Sequence, residues 1–210
     1  RGKILLMLIL MGVIGYVGQS LAYFVAFSLA PASLVALLLY LSPVLVTVGS
    51  FFFLKERITW LKILALALAL AGAVLTITAG DGSAGGEAKG LAAGILLGIL
   101  SAVIGAGYTL VGSRVLTAAA AIPATTVVIA STAAAYTGIA AAEGFTFPAH
   151  WSGFTAIIAL ALVSTVFSIS MYMAGLKLVG PVNASTMGVL EPVSTVVLAA
   201  LILGETLQPE

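Results

Sequence analysis

The chain has 210 residues, of which 62% are hydrophobic and 7% charged, with a net charge of +1 and a mean hydropathy of +1.27. A water-soluble domain of this length needs far more charge to cover its surface, so the composition excludes one. With no cysteine and a single histidine, His150, it also excludes disulfides, thiolate sites and the usual histidine-rich metal centres.

Seven apolar runs follow in chain order, at 4–29, 32–54, 59–79, 90–112, 124–142, 153–176 and 181–203. Each is long enough to cross a hydrocarbon core of ~30 Å as a helix, the backbone geometry that satisfies its own polar groups there. They are too long and unbroken for barrel strands. The expected fold class is an all-α polytopic membrane protein. Arg1-Gly-Lys3 resembles the start of a signal peptide, but the run after it is long enough to span and has no small-residue cleavage site. With Arg1 and Lys3 on the cytoplasmic side, alternation of the runs places Lys55, Arg57, Lys62, Arg114 and Lys177 there too and leaves only Lys89 outside. That is the bias cytoplasmic loops carry, and Trp60 and Trp151 then open their spans at the interface, where indoles collect.

Two stretches repeat. Leu41-Ser-Pro43-Val ends in Leu54-Lys-Glu56-Arg, and Leu190-Glu-Pro192-Val ends in Leu203-Gly-Glu205-Thr, a constant offset of 149 residues. Tyr23, Leu29, Val44, Val48 and Leu54 recur at the same offset as Tyr172, Leu178, Val193, Val197 and Leu203. Glu56 lies in a basic turn and Glu205 in one without lysine or arginine, so the charge pattern puts them on opposite sides and the repeat is inverted. Many secondary transporters are built this way. The first repeat covers 1–79, a Gly-rich linker 80–89, and the second repeat 90–210. Completing the symmetry takes two helices before Arg1 and one after Glu210. The chain is thus expected to be a fragment, holding seven helices of a five-plus-five protein.

The polar residues within spans form a pattern of their own. Tyr16, Gln19, Ser20 and Tyr23 fall on one helical face, and Thr165, Ser168 and Tyr172 occupy the positions 149 residues after Tyr16, Gln19 and Tyr23. Tyr108 shares a face with Ser101 and Gly105. These residues suit two facing walls of a substrate path. Hydroxyls also serve as interhelical glue, the reading favoured for Ser and Thr, whereas Gln19 and the tyrosines point to a cavity. Glu191 lies about ten residues into its span, ~15 Å deep at 1.5 Å per residue. A charge there costs roughly 2.5–3.5 kcal/mol on insertion scales. The neutral form is therefore favoured, which suits proton coupling. A structural role beside Pro192 is equally open to it. Asn183 leads up the same helix towards Glu191. Pro43 and Pro192 offer no amide to the carbonyls of Leu39 and Gly188, which predicts bends that are either static or hinges. Glu56 and Glu205 are expected to cap or anchor the start of the next helix. Gly90, Gly94 and Gly98 suit close helix packing.

On Ala26-Phe-Ser-Leu-Ala-Pro-Ala-Ser33, the Ser-Pro43 and Lys-Glu56 segments, Gly175-Leu-Lys-Leu-Val-Gly-Pro-Val-Asn183, and the Glu-Pro192 and Gly-Glu205 segments, the chain resembles the EamA-type permeases of the drug/metabolite transporter superfamily. The resemblance implies the third to ninth of ten helices, with transport needing the other three. It also implies a carrier for small organic metabolites in a bacterial or archaeal inner membrane, often an exporter, working by alternating access without ATP. The uncharged lining suggests amino-acid-like or other neutral and zwitterionic solutes. The partners expected are such a solute, the lipid bilayer and a coupling proton; neither cofactor, metal nor nucleic acid is called for, and the sequence gives no sign of an oligomeric state. A seven-span receptor or scaffold has no need of inverted repeats. An intramembrane enzyme needs clustered nucleophiles or metal ligands that the spans lack.

Overall fold

The computed structural model describes residues 2–79, 90–145, 147–198 and 201. Among them are seven helices and no strand: α1 (Gly2–Leu29), α2 (Ala32–Phe53), α3 (Trp60–Ala79), α4 (Leu91–Ala118), α5 (Ala121–Glu143), α6 (Trp151–Val179) and α7, in two halves at Pro181–Gly188 and Glu191–Leu198. The protein is an all-α polytopic membrane protein. Helices α1, α2, α4, α5 and α6 are each long and apolar enough to cross a membrane; α3 and α7 fall on the other two expected spans. The linker 80–89 and Glu205 lie outside the described residues.

Local chemistry sets the ends. Extended Ala30 precedes Pro31 and stops α1. Gly144 (φ 98) and Gly180 (φ 80) take left-handed backbone after α5 and α6, where a Cβ is disfavoured. Pro181 then opens α7 with the fixed φ a first turn accepts.

Several boundaries differ from the sequence expectation. Helix α4 continues to Ala118 and α6 to Val179, beyond 112 and 176, which puts Arg114 and Lys177 on helices instead of in loops. Their side chains explain the extension. The Arg114 guanidinium donates to the Phe53 carbonyl at the end of α2, and Lys177 Nζ donates to the Ala119 carbonyl after α4 at 2.8 Å. Both cations thereby sit where helix C-termini favour positive charge. Glu56 is an anchor but not a cap. Helix α3 starts at Trp60, while the Glu56 carboxylate pairs with Lys62 and its amide folds back onto the Ser50 carbonyl at 3.1 Å. The turn passes through Lys55 at φ 54.

Helix α4 is the hub, packed against α1, both halves of α2 and α6. Gly94 and Gly98 are buried along it. A Cβ on Gly94 would stand 2.7 Å from the Ala30 Cβ, so the glycines set the close approach as expected. Helix α5 covers α1 from another side and touches α6. The main core gathers Leu8 and Met11 of α1, Val115 and Leu116 of α4, Val128 of α5 and Met173 of α6.

The repeat is visible in the backbone. Wide π-helical turns occupy Met11–Gly18 of α1 and Leu160–Phe167 of α6, and the two are offset by the same 149 residues. Helix α2 breaks at Tyr40 and α7 at Val189–Leu190, again in register, each within three residues before its proline. The predicted bends at Pro43 and Pro192 are therefore present. Burial, by contrast, is unsymmetrical. Met11 of α1 is 3% exposed, whereas Leu160, its counterpart on α6, is 61% exposed, because no described element covers the first half of α6.

Candidate functional site

The two π-turns and the two helix breaks converge on one cavity of about 340 Å³. Tyr16 and Gln19 enter it from α1, Tyr40, Ser42 and Pro43 from the α2 break, and Tyr108 and Thr109 from α4. Ser164, Ser168 and Tyr172 come from α6, and Ser185, Gly188 and Glu191 from the α7 break. A π-turn adds a residue per turn and so re-aims the side chains around it, a feature common at functional sites. Leu39 and Gly188, the two residues whose carbonyls the prolines leave without an amide partner, both line the cavity.

The expected path residues divide. Tyr16, Gln19, Tyr108, Ser168, Tyr172, Glu191 and Pro43 meet at the cavity. Thr165 stands beside the Tyr16 hydroxyl and Tyr23 within electrostatic reach of Glu191, but neither lines the space. The Tyr23 ring packs against the Ala26, Ala30 and Val35 cluster and edge-on to Phe27, with centroids 4.7 Å apart. Asn183 faces a different groove, with Lys62 and Met187, and its amide donates to the Val179 carbonyl at 2.9 Å. Pro192 is half-buried behind the lining. Glu191 itself is exposed and lines the cavity beside Tyr40.

Hydrogen bonds separate the packing hydroxyls from those that face the cavity. Ser20 Oγ donates to the Tyr16 carbonyl one turn back on α1 at 2.7 Å, and Ser101 Oγ ties α4 to α1 by donating to the Gln19 carbonyl at 3.2 Å. The Tyr172 hydroxyl and Thr109 Oγ1 are 2.7 Å apart, and the Tyr172 ring stacks on Tyr108 at 6.4 Å. The Tyr108 hydroxyl is buried with no partner among the described residues, so a ligand or water atom is the remaining way to satisfy it. Replacing Tyr172 with Phe is expected to cost about 0.6 kcal/mol, the mean for hydrogen bonds inside membrane helices. Thermal unfolding in detergent checks this. A cost several times larger makes the pair a main brace of the bundle.

Sequence reasoning missed Tyr40, Thr109 and Ser164. Tyr40 carried a signal, a bulky polar residue three positions before Pro43 and so at the bend. Thr109 and Ser164 carried none, since single hydroxyls are common packing residues.

The site thus stands at paired helix breaks that recur at the 149-residue offset. Residues 1–78 and 92–210 match the EamA-like transporter family. The chain belongs to that family. Its EamA-like fold is also similar to that of a solved crystal structure, described only as a protein, at 22% identity and a TM-score of 0.81. The likeness covers 96% of this chain and 69% of that one. No curated protein matches the chain by sequence. Membership in a drug/metabolite transporter family makes this EamA-like chain an integral, multi-pass transporter protein.

Proposed function

We propose that this protein is a secondary carrier for small organic metabolites, amino-acid-like or otherwise neutral or zwitterionic, exported by alternating access. The membrane it serves is a bacterial or archaeal inner membrane. The observation that carries the reading is the cavity itself. Its walls come from both repeats, at the points where α2 and α7 are broken, and its volume lies in the range that encloses small molecules. Rocking of one repeat against the other about these breaks would expose the cavity to each side in turn. Glu191, the carboxyl group of the lining, is the coupling residue, taking up and releasing a proton as the cavity changes sides.

Counterflow in proteoliposomes carrying the full-length gene product tests this against labelled amino acids, sugars and nucleosides. Saturable exchange is expected for at least one neutral or zwitterionic solute. With Glu191→Gln, proton-driven accumulation is expected to fall more than ~10-fold, because a neutral amide cannot carry the proton, while passive exchange persists. Absence of exchange across the panel from folded protein sinks the carrier reading. Unchanged proton-driven accumulation in the variant removes Glu191 from coupling.

A further inference from the structure

We infer that the site reads the ammonium end of its solute: amino-acid-like compounds are held through the amine and the apolar body, and the carboxylate adds no affinity. The inference rests on the carrier reading above and names what that carrier grips.

Among the described residues, the charged side chain of the lining is acidic. Glu191 supplies a carboxylate, and among the described residues no lysine, arginine or histidine lines the cavity. Tyr16, Tyr40, Tyr108 and Tyr172 supply four aromatic rings, whose faces attract a cation. Leu39 and Gly188, whose carbonyls lack a helical donor at Pro43 and Pro192, also line the cavity. An ammonium brings three donors and no acceptor, and so matches carboxylate, carbonyl and ring face together.

A solute carboxylate meets the reverse. The donors available to it, the Gln19 amide and the hydroxyls, are neutral, and Glu191 repels it when ionised. Leaving a desolvated anion without a counter-charge is costly. The helix dipole does not rescue it at α7, because Glu191 occupies the first turn of Glu191–Leu198 and already meets that positive end. The acid is also unsymmetrical. Its counterpart at the α2 break is Ser42, so among the described residues the cavity holds one acidic point, which suits one ammonium.

Binding of phenylalanine, phenethylamine, phenylalanine methyl ester and N-acetylphenylalanine to the detergent-solubilised protein tests this by calorimetry, alongside the solute panel in proteoliposomes. Phenethylamine and the ester are expected to bind about 10-fold more tightly than phenylalanine, a difference readily supplied by one unpaired charge. N-acetylphenylalanine, without an ammonium, is expected to show no binding. Glu191→Gln is expected to erase the advantage of the amines, and Glu191→Asp to keep it. Tighter binding of phenylalanine than of its ester, or any binding of the N-acetyl compound comparable to phenylalanine, overturns the inference. So does failure of all four compounds to bind. If other solutes exchange in that case, the carrier reading stands and only the ammonium reading falls; if none does, both fall. The ligand series on the unaltered protein decides the matter even where a Glu191 variant does not fold.

Discussion

Gly12→Leu is expected to destabilise the bundle by on the order of 3 kcal/mol, the upper part of the usual range for overpacking. The reason is local and stiff. A Cβ at Gly12 would fall 2.0 Å from Ser131 Oγ and 2.6 Å from the Val128 carbonyl oxygen. The hydroxyl can rotate away, but the carbonyl belongs to the α5 backbone and moves only if the helix does. The same approach lets Thr132 Oγ1 donate to the Gly12 carbonyl at 3.2 Å, so pushing α5 back also breaks a buried hydrogen bond. Gly12 lies in the π-turn of α1, and the displacement would carry Tyr16 with it, out of the cavity wall. Gly107→Leu is the matched control, since nothing stands within 4 Å of a Cβ there. Thermal unfolding in detergent, read as the fraction left monodisperse after heating, should drop sharply for the first variant and not for the second. Equal heat resistance of Gly12→Leu and the parent would show that α1 and α5 are not in this contact.

How far the sequence anticipated this architecture depended on which signals are chemical and which are geometric. The helix breaks were legible, because a proline in an apolar span cannot satisfy the carbonyl four residues back, here at Leu39 and Gly188. The inner polar residues were legible where size forced the issue, as with Gln19, Tyr108 and Tyr172, which find no comfortable place against lipid. Thr165, Tyr23 and Asn183 show the limit. Periodicity places a residue on a face, but a cavity ends, and Tyr23 sits one turn past the end, on the Ala26–Val35 cluster. The π-turns left no trace in the sequence at all. A rule based on 3.6 residues per turn assumes their absence. Helix ends failed for a third reason. The spans read from hydropathy end before Arg114 and Lys177, whereas their long side chains reach the polar end of a neighbouring helix while their backbones stay helical.

Pro43→Ala is expected to leave the protein at least as heat-resistant as the parent and to lower exchange about 10-fold, which separates a hinge from a static bend. In a helix interior proline is disfavoured relative to alanine by ~3 kcal/mol, and Pro43 follows the break at Tyr40 by three residues. Alanine restores the amide that the Leu39 carbonyl lacks and favours a straighter α2. Lost packing at the site works against that gain, because Pro43 is buried and alanine is smaller; the two effects offset, so the net change in unfolding temperature is small or upward. Exchange responds differently. If the break is where α2 flexes as the cavity changes sides, a bonded helix resists that motion, and the gain in order is a loss in rate. The same substitution at Pro192, next to Glu191, is expected to act in the same direction because α7 repeats the break. The pair of measurements is decisive jointly: unchanged exchange with raised stability makes both prolines static bends, and lost exchange with lost stability makes them packing residues. Only slowed exchange in a protein that still resists heat assigns them to the motion.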